Sequence, residues 1–119
     1  MKLKKFKGDK RPMAHNFFFQ LADGSKDLKD RFIGLCVKYL SGHPGQIYFS
    51  VGSRVRQIDR DVSGTNFDVS VNIVFKDFDA YAAYSNDLRH ETFIEKAAGM
   101  SPTRVVYDSF LDIGTDLPE

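Results

Sequence analysis

Histidine and tyrosine are the side chains of this chain best suited to proton transfer. The histidines are His15, His43 and His90. An imidazole titrates near pH ~6.5, so it takes and gives protons at neutral pH, and a phenol can donate a hydrogen bond to a developing oxyanion. Tyr84 lies shortly before His90 in the chain. Such a histidine–tyrosine pair could enolise or cyclise a carbonyl compound without a cofactor.

Each of these residues also has an ordinary structural interpretation. His90 at a helix start could bond only to backbone groups, and Tyr84 could be an aromatic at the edge of the core with its hydroxyl in water. His15 at a strand start is more often structural than functional. His43, beside Pro44, is typical of a turn.

Other kinds of site have little support in the sequence. His15, His90, Asp68 and Asp108 could converge across neighbouring strands, but no closely spaced ligand motif accompanies them, so we expect no metal. The chain lacks a glycine-rich phosphate loop and a Ser-His-Asp or Cys-His signature, so we also expect no cofactor. Cys36 is the lone cysteine and lies in an apolar helical stretch, which predicts a buried structural thiol.

The elements that must position these residues follow from periodicity and turn signals. Phe67, Val69, Val71, Ile73 and Phe75 alternate with polar residues, which is typical of a strand with one buried face. The pattern predicts strands over 14–21, 46–51, 67–75 and 104–110, and helices over 25–40, 78–85 and 88–98. Residues 54–64 show no stable period and predict an irregular return of the chain.

This order of elements predicts an α+β domain of the ferredoxin-like β-α-β-β-α-β type, with helices on one face of an antiparallel four-stranded sheet. The opposite face of the third predicted strand carries a semi-polar set, which favours a sheet-to-sheet homodimer. That set is Asp68, Ser70, Asn72 and Val74. Between helices and sheet, five apolar side chains are expected either to line a ligand pocket or to fill an ordinary core: Phe17, Phe19, Ile33, Val71 and Ile73.

Length and charge set the boundaries of the domain. A chain of 119 residues is expected to form one core, here over 13–111, between a basic arm at 1–12 and a polar tail at 112–119. The arm carries a net charge of +5 and the remainder −4. Because the acidic body lacks interleaved basic and aromatic residues, we do not expect nucleic acid to be a partner. An alternative interpretation of the arm is that Met13 is the natural start of the protein.

The sequence also bears on location. Without an apolar stretch typical of a signal or a membrane span, we expect a cytoplasmic protein.

Three segments carry a resemblance to a known family. The first strand opens with histidine and continues into aromatic residues, over 14–19. A helix closes with a Pro-Gly turn into a strand that ends in glycine, over 43–52. A strand ending in phenylalanine is followed by a Tyr-x-x-His-Pro-x-His motif, present here from Tyr84 to His90 with Asp87-Leu88 replacing His-Pro. In this order the segments resemble the stress-responsive α/β barrel (Dabb) family, within the dimeric α/β barrel superfamily.

The resemblance implies a site and a function. In the plant polyketide cyclases of this family, the tyrosine and last histidine of that motif serve in acid–base chemistry and the first-strand histidine lines the same pocket. Carried over, these are Tyr84, His90 and His15, while a third-strand pocket histidine falls at Val69. The implied protein is a homodimer that binds a small apolar or aromatic ligand, with cyclase, isomerase or lyase activity. The alternatives are a non-catalytic stress or interaction dimer, and a cofactor-free or haem-degrading monooxygenase.

Overall fold

The structure is a computed structural model that describes residues 8–114. Parts of the predicted basic arm and polar tail, at 1–7 and 115–119, lie outside the described residues. The elements are β1 (Met13–Gln20), α1 (Lys26–Leu40), β2 (Gln46–Ser53), β3 (Val69–Phe75), α2 (Phe78–Ser85), α3 (Leu88–Lys96) and β4 (Thr103–Phe110). Within residues 8–114, the helices are too short or too polar to span a lipid bilayer.

The four strands form one sheet in the order β2-β3-β1-β4, and every neighbouring pair is antiparallel. The three helices lie on one face. On β3 that face is made by Val69, Val71, Ile73 and Phe75, which are fully buried. The ferredoxin-like prediction is confirmed, and the second helical segment of that plan consists of two helices, α2 and α3.

Helix α1 covers the centre of the sheet with a stripe that repeats every three or four residues. Leu28, Phe32, Cys36 and Leu40 are its buried members. Burial of each large apolar side chain contributes roughly 1.5–3 kcal/mol. The helix begins after Ser25, whose hydroxyl oxygen accepts a 3.1 Å hydrogen bond from the backbone N–H of Leu28. Phe32 contacts Phe93 of α3 with ring centroids 5.9 Å apart, so α1 and α3 share the core.

A helix break between α2 and α3 sets the position of His90. The chain leaves α2 at Asn86, and the Asp87 carboxylate then accepts a 2.8 Å hydrogen bond from the backbone N–H of Arg89. Asp87 is therefore the N-cap of α3, and His90 lies in the first turn of that helix. The helix is interrupted here although Asp87-Leu88 replaces the His-Pro pair of the Tyr-x-x-His-Pro-x-His motif. The capping carboxylate of Asp87 starts a new helix, as a proline would.

Several element boundaries differ from the sequence prediction by one or two residues, and two of these differences have a clear structural cause. Strand β3 begins at Val69, because the side chain of Asp68 is turned to the backbone N–H of Leu21 at 2.8 Å and to Arg56 at 2.9 Å. Helix α3 ends at Lys96, and the positive φ of Gly99 turns the chain towards β4.

The face of the sheet opposite the helices carries both apolar and polar side chains. Tyr48, Val105 and Tyr107 expose 55%, 44% and 62% of their surface there. Phe18 lies on this face between Phe67 and Tyr107, at ring-centroid distances of 5.1 and 6.0 Å. Tyrosine and phenylalanine in such a cluster are typical of a surface that meets a partner.

Candidate active site

The best-defined polar pair on the helix face of the sheet joins β1 to β4. His15 and Asp108 are cross-strand partners, and their side chains lie on the same face. The Asp108 carboxylate accepts a hydrogen bond from Nδ1 of His15. Because a carboxylate only accepts, Nδ1 carries the proton, and in the neutral ring Nε2 keeps the lone pair of a base.

His15 is a neutral base at physiological pH. It is 7% exposed, and its burial lowers its pKa from the usual 6.5, although the hydrogen bond and the charge of Asp108 act in the opposite direction. The proton affinity lost to burial is thus partly restored by one carboxylate. This arrangement orients the imidazole and would stabilise the imidazolium formed when Nε2 takes a proton.

Tyr84 of α2 lies at the centre of the three histidines. Its ring centroid is 4.9 Å from that of His90, 4.9 Å from that of His43 and 6.0 Å from that of His15. The side chain is 2% exposed, and its hydroxyl finds no hydrogen-bond partner within residues 8–114. Burial, followed by the neighbouring Cys36 and Tyr81, raises the pKa of this phenol well above its usual range, so it remains a donor.

His90 completes the group from the first turn of α3. Its ring meets the ring of Tyr84 edge-on at 61°. Burial is the main cause that lowers its pKa, followed by the nearby His15, His43 and Arg104, while Glu91 acts in the opposite direction. His90 is therefore a second neutral imidazole, able to accept a proton or, in the other tautomer, to donate a hydrogen bond.

These side chains line a cavity of about 170 Å³ between the sheet and helices α2 and α3. Its lining is His15, Phe17, Phe19, Tyr81, Tyr84, Ser85, His90, Phe93, Ile94, Arg104 and Val106. A second cavity of about 280 Å³ adjoins it and shares Phe19, Phe93, Ile94 and Arg104. The acid–base residues predicted from the sequence are therefore brought together at one cavity.

The apolar residues predicted as pocket walls fall into two groups, one that lines the cavity and one that lies in the packed core. Phe17 and Phe19 line the cavity. Val71 and Ile73 are fully buried, and Ile33 packs against the same core from α1. The structure places the last three in the packed interior, and a ligand role for any of the five stays a prediction.

Sequence reasoning did not find two further polar residues of the cavity, Tyr81 and Ser85. Tyr81 lies three positions before Tyr84 and four before Ser85 on α2, and positions three and four apart share a helix face, a signal present in the sequence. The ring of Tyr81 is 4.8 Å from that of His15. Burial and then the charge of Asp108 raise the pKa of Tyr81, and a hydrogen bond with Ser85 acts in the opposite direction.

The remaining candidate residues have other partners. Nε2 of His43 bonds to the carbonyl of Tyr39 at 2.8 Å, which fixes the turn after α1. Burial raises the pKa of the Cys36 thiol to about 12, so this thiol is unreactive at neutral pH. In the part of the chain that the structure describes, no three His, Cys, Asp or Glu side chains are grouped closely enough to hold a metal ion.

A family comparison identifies the domain. The model of the Dabb family, the stress responsive A/B barrel domain, matches residues 13–111. The chain belongs to the Dabb family. The match contains every strand of the sheet and all the residues of the cavity. A search of curated protein sequences returned no match.

Solved structures share the fold at low sequence identity. A Dabb family protein from Mesorhizobium loti has a TM-score of 0.72 at 19% identity, with 87% of this chain and 99% of that chain covered. A dimeric ferredoxin-like protein from Thermobifida fusca has a TM-score of 0.70 at 20% identity, covering 93% and 99%. A hydroxynitrile lyase from Passiflora edulis has a TM-score of 0.69 at 14% identity, covering 92% and 100%. At these identities the likeness shows the fold alone.

Proposed function

We propose that this Dabb protein is a homodimer that binds a small apolar or aromatic carbonyl compound in the cavity and moves a proton on it without a cofactor. The observation that supports this most is the Asp108–His15 pair at a cavity that also contains Tyr84 and His90. An oriented neutral imidazole and a buried phenol are the groups that enolisation requires. The reaction class is that of an isomerase, a cyclase or a lyase.

Each group has a defined part in the proposed step. Nε2 of His15 removes the proton from the carbon next to the carbonyl, and Asp108 stabilises the imidazolium that forms. The C–H electron pair moves into the C–C bond, and the carbonyl π pair moves to oxygen, giving an enolate. The Tyr84 hydroxyl donates a hydrogen bond to that oxygen. Return of the proton to the same or a neighbouring carbon completes an isomerisation, whereas attack of the enolate on a second carbonyl gives a cyclisation.

One of the structural neighbours is a lyase by name. The Passiflora edulis protein of this fold is a hydroxynitrile lyase. Cleavage of a cyanohydrin requires a base that takes a hydroxyl proton, and histidine is a typical general base. The neighbour supports the proposal as an example of a lyase built on this fold.

Deuterium exchange tests the proposal directly. Acetophenone in D₂O exchanges its methyl protons only through the enol or enolate, and ¹H NMR follows the loss of the methyl signal. We expect the protein to accelerate this exchange and His15→Gln to lower the protein-dependent rate by roughly 10²-fold or more. Arg31→Gln is the control, since Arg31 lies on the exposed side of α1 and does not line the cavity. An unaccelerated wild-type reaction would contradict the proposal.

The open face of the sheet supports the homodimer. It exposes Tyr48, Val105 and Tyr107, and a concavity of about 630 Å³ lies there beside Phe18 and Phe67. The Thermobifida fusca neighbour is described as dimeric. Pairing of two such faces would bury the aromatic cluster and leave the histidine cavity on the other side of each sheet. The free, buried Cys36 agrees with the cytoplasm as the proposed compartment.

A non-catalytic interaction dimer is the second candidate. The cavity beside His15 measures about 170 Å³, below the roughly 300–1,000 Å³ typical of ligand pockets, although a second cavity adjoins it. A dimer without enzymatic activity would show no accelerated exchange while still self-associating. The exchange experiment therefore separates the two functions.

A further inference from the structure

Arg104 is a cation on the helix face of β4. It is paired in register with Phe19 of β1, and its side chain is exposed. Within residues 8–114 its side chain makes no hydrogen bond or ion pair, a feature that it shares with Arg54 and Arg60, but of these three residues only Arg104 lines the cavity beside His15. An arginine presents a planar fork of donors that matches a carboxylate. Its free donors are therefore available to a ligand.

Arg104 lies at the end of the cavity away from the His15–Asp108 pair. It lines both the cavity beside His15 and the adjoining one, so it lies where the two meet. Arg104, Val106 and Asp108 alternate along one face of the strand, which places the Cα atoms of Arg104 and Asp108 about 13 Å apart. Between the two ends the lining is apolar and includes Val106 and Phe17. One end of the cavity therefore holds the acid–base pair, and the other holds a positive charge.

The geometry points to Arg104 as the anchor for a carboxylate on the substrate of the proposed reaction. The substrate class is then a small oxo acid whose apolar or aromatic body separates the carboxylate from the reacting ketone. This inference rests on the proposed function, because the ketone is placed by the position of His15. A carboxylate fits better than a phosphate because Arg104 is the single Lys or Arg side chain in the described lining of either cavity.

The charges around Arg104 support binding of a carboxylate at this end of the cavity. The Asp108 carboxylate is already engaged, since it accepts the hydrogen bond of the His15 imidazole. The positive charge of Arg104 contributes to lowering the pKa of His90, so the two groups are close enough to interact. A bound carboxylate would offset that charge and leave His90 facing a neutral ion pair. Within residues 8–114 no Asp or Glu side chain lines either cavity, although the charge of Glu91 acts on His90 in the opposite direction to that of Arg104.

Two rigid probes of the same shape test the anchor. 4-Acetylbenzoate carries a methyl ketone and a carboxylate at opposite ends of a ring, and 4-acetylbenzamide replaces the charge with a neutral amide. Binding is measured by isothermal titration calorimetry on wild type, Arg104→Gln and Arg104→Lys. Arg31→Gln is the matched control, because Arg31 lies on the exposed side of α1 and lines neither cavity. Size-exclusion chromatography and circular dichroism check that all variants keep the fold and assembly.

We expect wild type and Arg31→Gln to prefer the benzoate over the benzamide by roughly tenfold or more. Arg104→Gln should lose this preference, and Arg104→Lys should keep part of it because the charge remains without the fork. Equal affinities in wild type, no binding of either probe at millimolar concentration, or a preference that survives in Arg104→Gln would overturn the anchor.

Deuterium exchange of the two probes separates this inference from the proposed function. Arg104-dependent binding of the benzoate without accelerated exchange would overturn the acid–base function and leave the anchor standing. Accelerated exchange of both probes with equal affinity would overturn the anchor and leave the function standing.

Discussion

His15 and Asp108 face each other across the β1–β4 pair, and the Asp108 carboxylate accepts a hydrogen bond from Nδ1 of His15. The two residues are 93 positions apart in the chain. Their contact depends on the register in which the last strand joins the first. The same register brings Arg104 opposite Phe19, so one strand pairing sets both ends of the cavity.

Replacing Asp108 should change both the titration and the activity of His15. Because the Asp108 hydrogen bond and charge raise the pKa of His15 against the effect of burial, Asp108→Asn should lower that pKa further. The exchange of acetophenone should slow by roughly 10–100-fold, since the imidazole loses its orientation and the imidazolium its counter-charge. NMR titration of the histidine ring protons gives the pKa. The exposed Asp112→Asn is the control, and a raised His15 pKa in Asp108→Asn would contradict the assigned pairing.

The lowered pKa values of His15 and His90 should make the fold sensitive to mild acid. His15 and His90 have lower pKa values when folded than their usual 6.5, so the unfolded chain binds more protons just below pH 6.5. Their contribution to the free energy of unfolding is present above that pH and is lost as the pH falls towards the folded pKa values. Urea unfolding at pH 7.5 and pH 5.5 should show lower stability at pH 5.5. The double variant His15→Gln/His90→Gln should show a smaller loss, and an equal loss would sink the assignment.

The elements of the fold were predictable because each carries a local signal. The alternation from Val69 to Phe75 and the stripe of α1 follow the periods of strand and helix, and Ser25 and Asp87 are typical helix caps. Hydrophobic periodicity decides which face of an element is buried. It therefore predicts the layers of the domain and the helix side of the sheet.

The partners within the site were less accessible to sequence reasoning. Tyr84, His90 and His15 were found through their residue types and through the family motif, whereas Asp108 was considered only as a metal ligand. An antiparallel pair shifted by two residues keeps the same faces buried, so the pattern alone does not decide whether Asp108 or Val106 lies opposite His15. The β1–β4 register was needed to show the hydrogen bond.

A close approach at Gly45 should make the turn before β2 intolerant of a side chain. Gly45 has φ +84°, and a Cβ built there would overlap the Cβ of Ala80 in α2. Gly45→Ala should therefore lower the free energy of unfolding by roughly 2–4 kcal/mol, from backbone strain and steric overlap together. Gly42 has φ +74° with open space around its Cβ position, so Gly42→Ala measures the backbone strain alone, about 1–2 kcal/mol. Urea unfolding checks both, and equal losses would show that Ala80 moves away without cost.

Charge on the open face of the sheet should weaken self-association. Tyr107 is 62% exposed beside Phe18, so Tyr107→Lys would place an ammonium group within the proposed dimer contact. We expect the dimer dissociation constant to rise at least about tenfold while the monomer stays folded. Val37→Lys is the control, because Val37 lies on α1 at 48% exposure. Sedimentation velocity over a concentration series measures the equilibrium. A monomeric wild type, or equal dissociation constants for the two variants, would contradict the proposed interface.

Removing one oxygen atom from Tyr84 should separate stability from activity. The hydroxyl is buried and has no partner within residues 8–114, and a buried unsatisfied donor costs about 1–3 kcal/mol. Tyr84→Phe keeps the ring contacts with His90 and His43, so it should unfold with equal or higher free energy, by up to about 1 kcal/mol. If the hydroxyl serves the enolate oxygen, the acetophenone exchange should slow by roughly 10²-fold in the same variant.

Tyr81→Phe is the matched comparison, because its hydroxyl already has a hydrogen bond with Ser85. Removal of a satisfied hydroxyl should lower the free energy of unfolding by about 0.5–1.5 kcal/mol, the opposite direction from Tyr84→Phe. Thermal and urea unfolding measure the stability of both variants, and NMR exchange measures their activity. A Tyr84→Phe variant that loses stability and keeps the wild-type exchange rate would show that the hydroxyl is structural, because the hydroxyl would then make a stabilising hydrogen bond in the folded protein and take no part in the reaction.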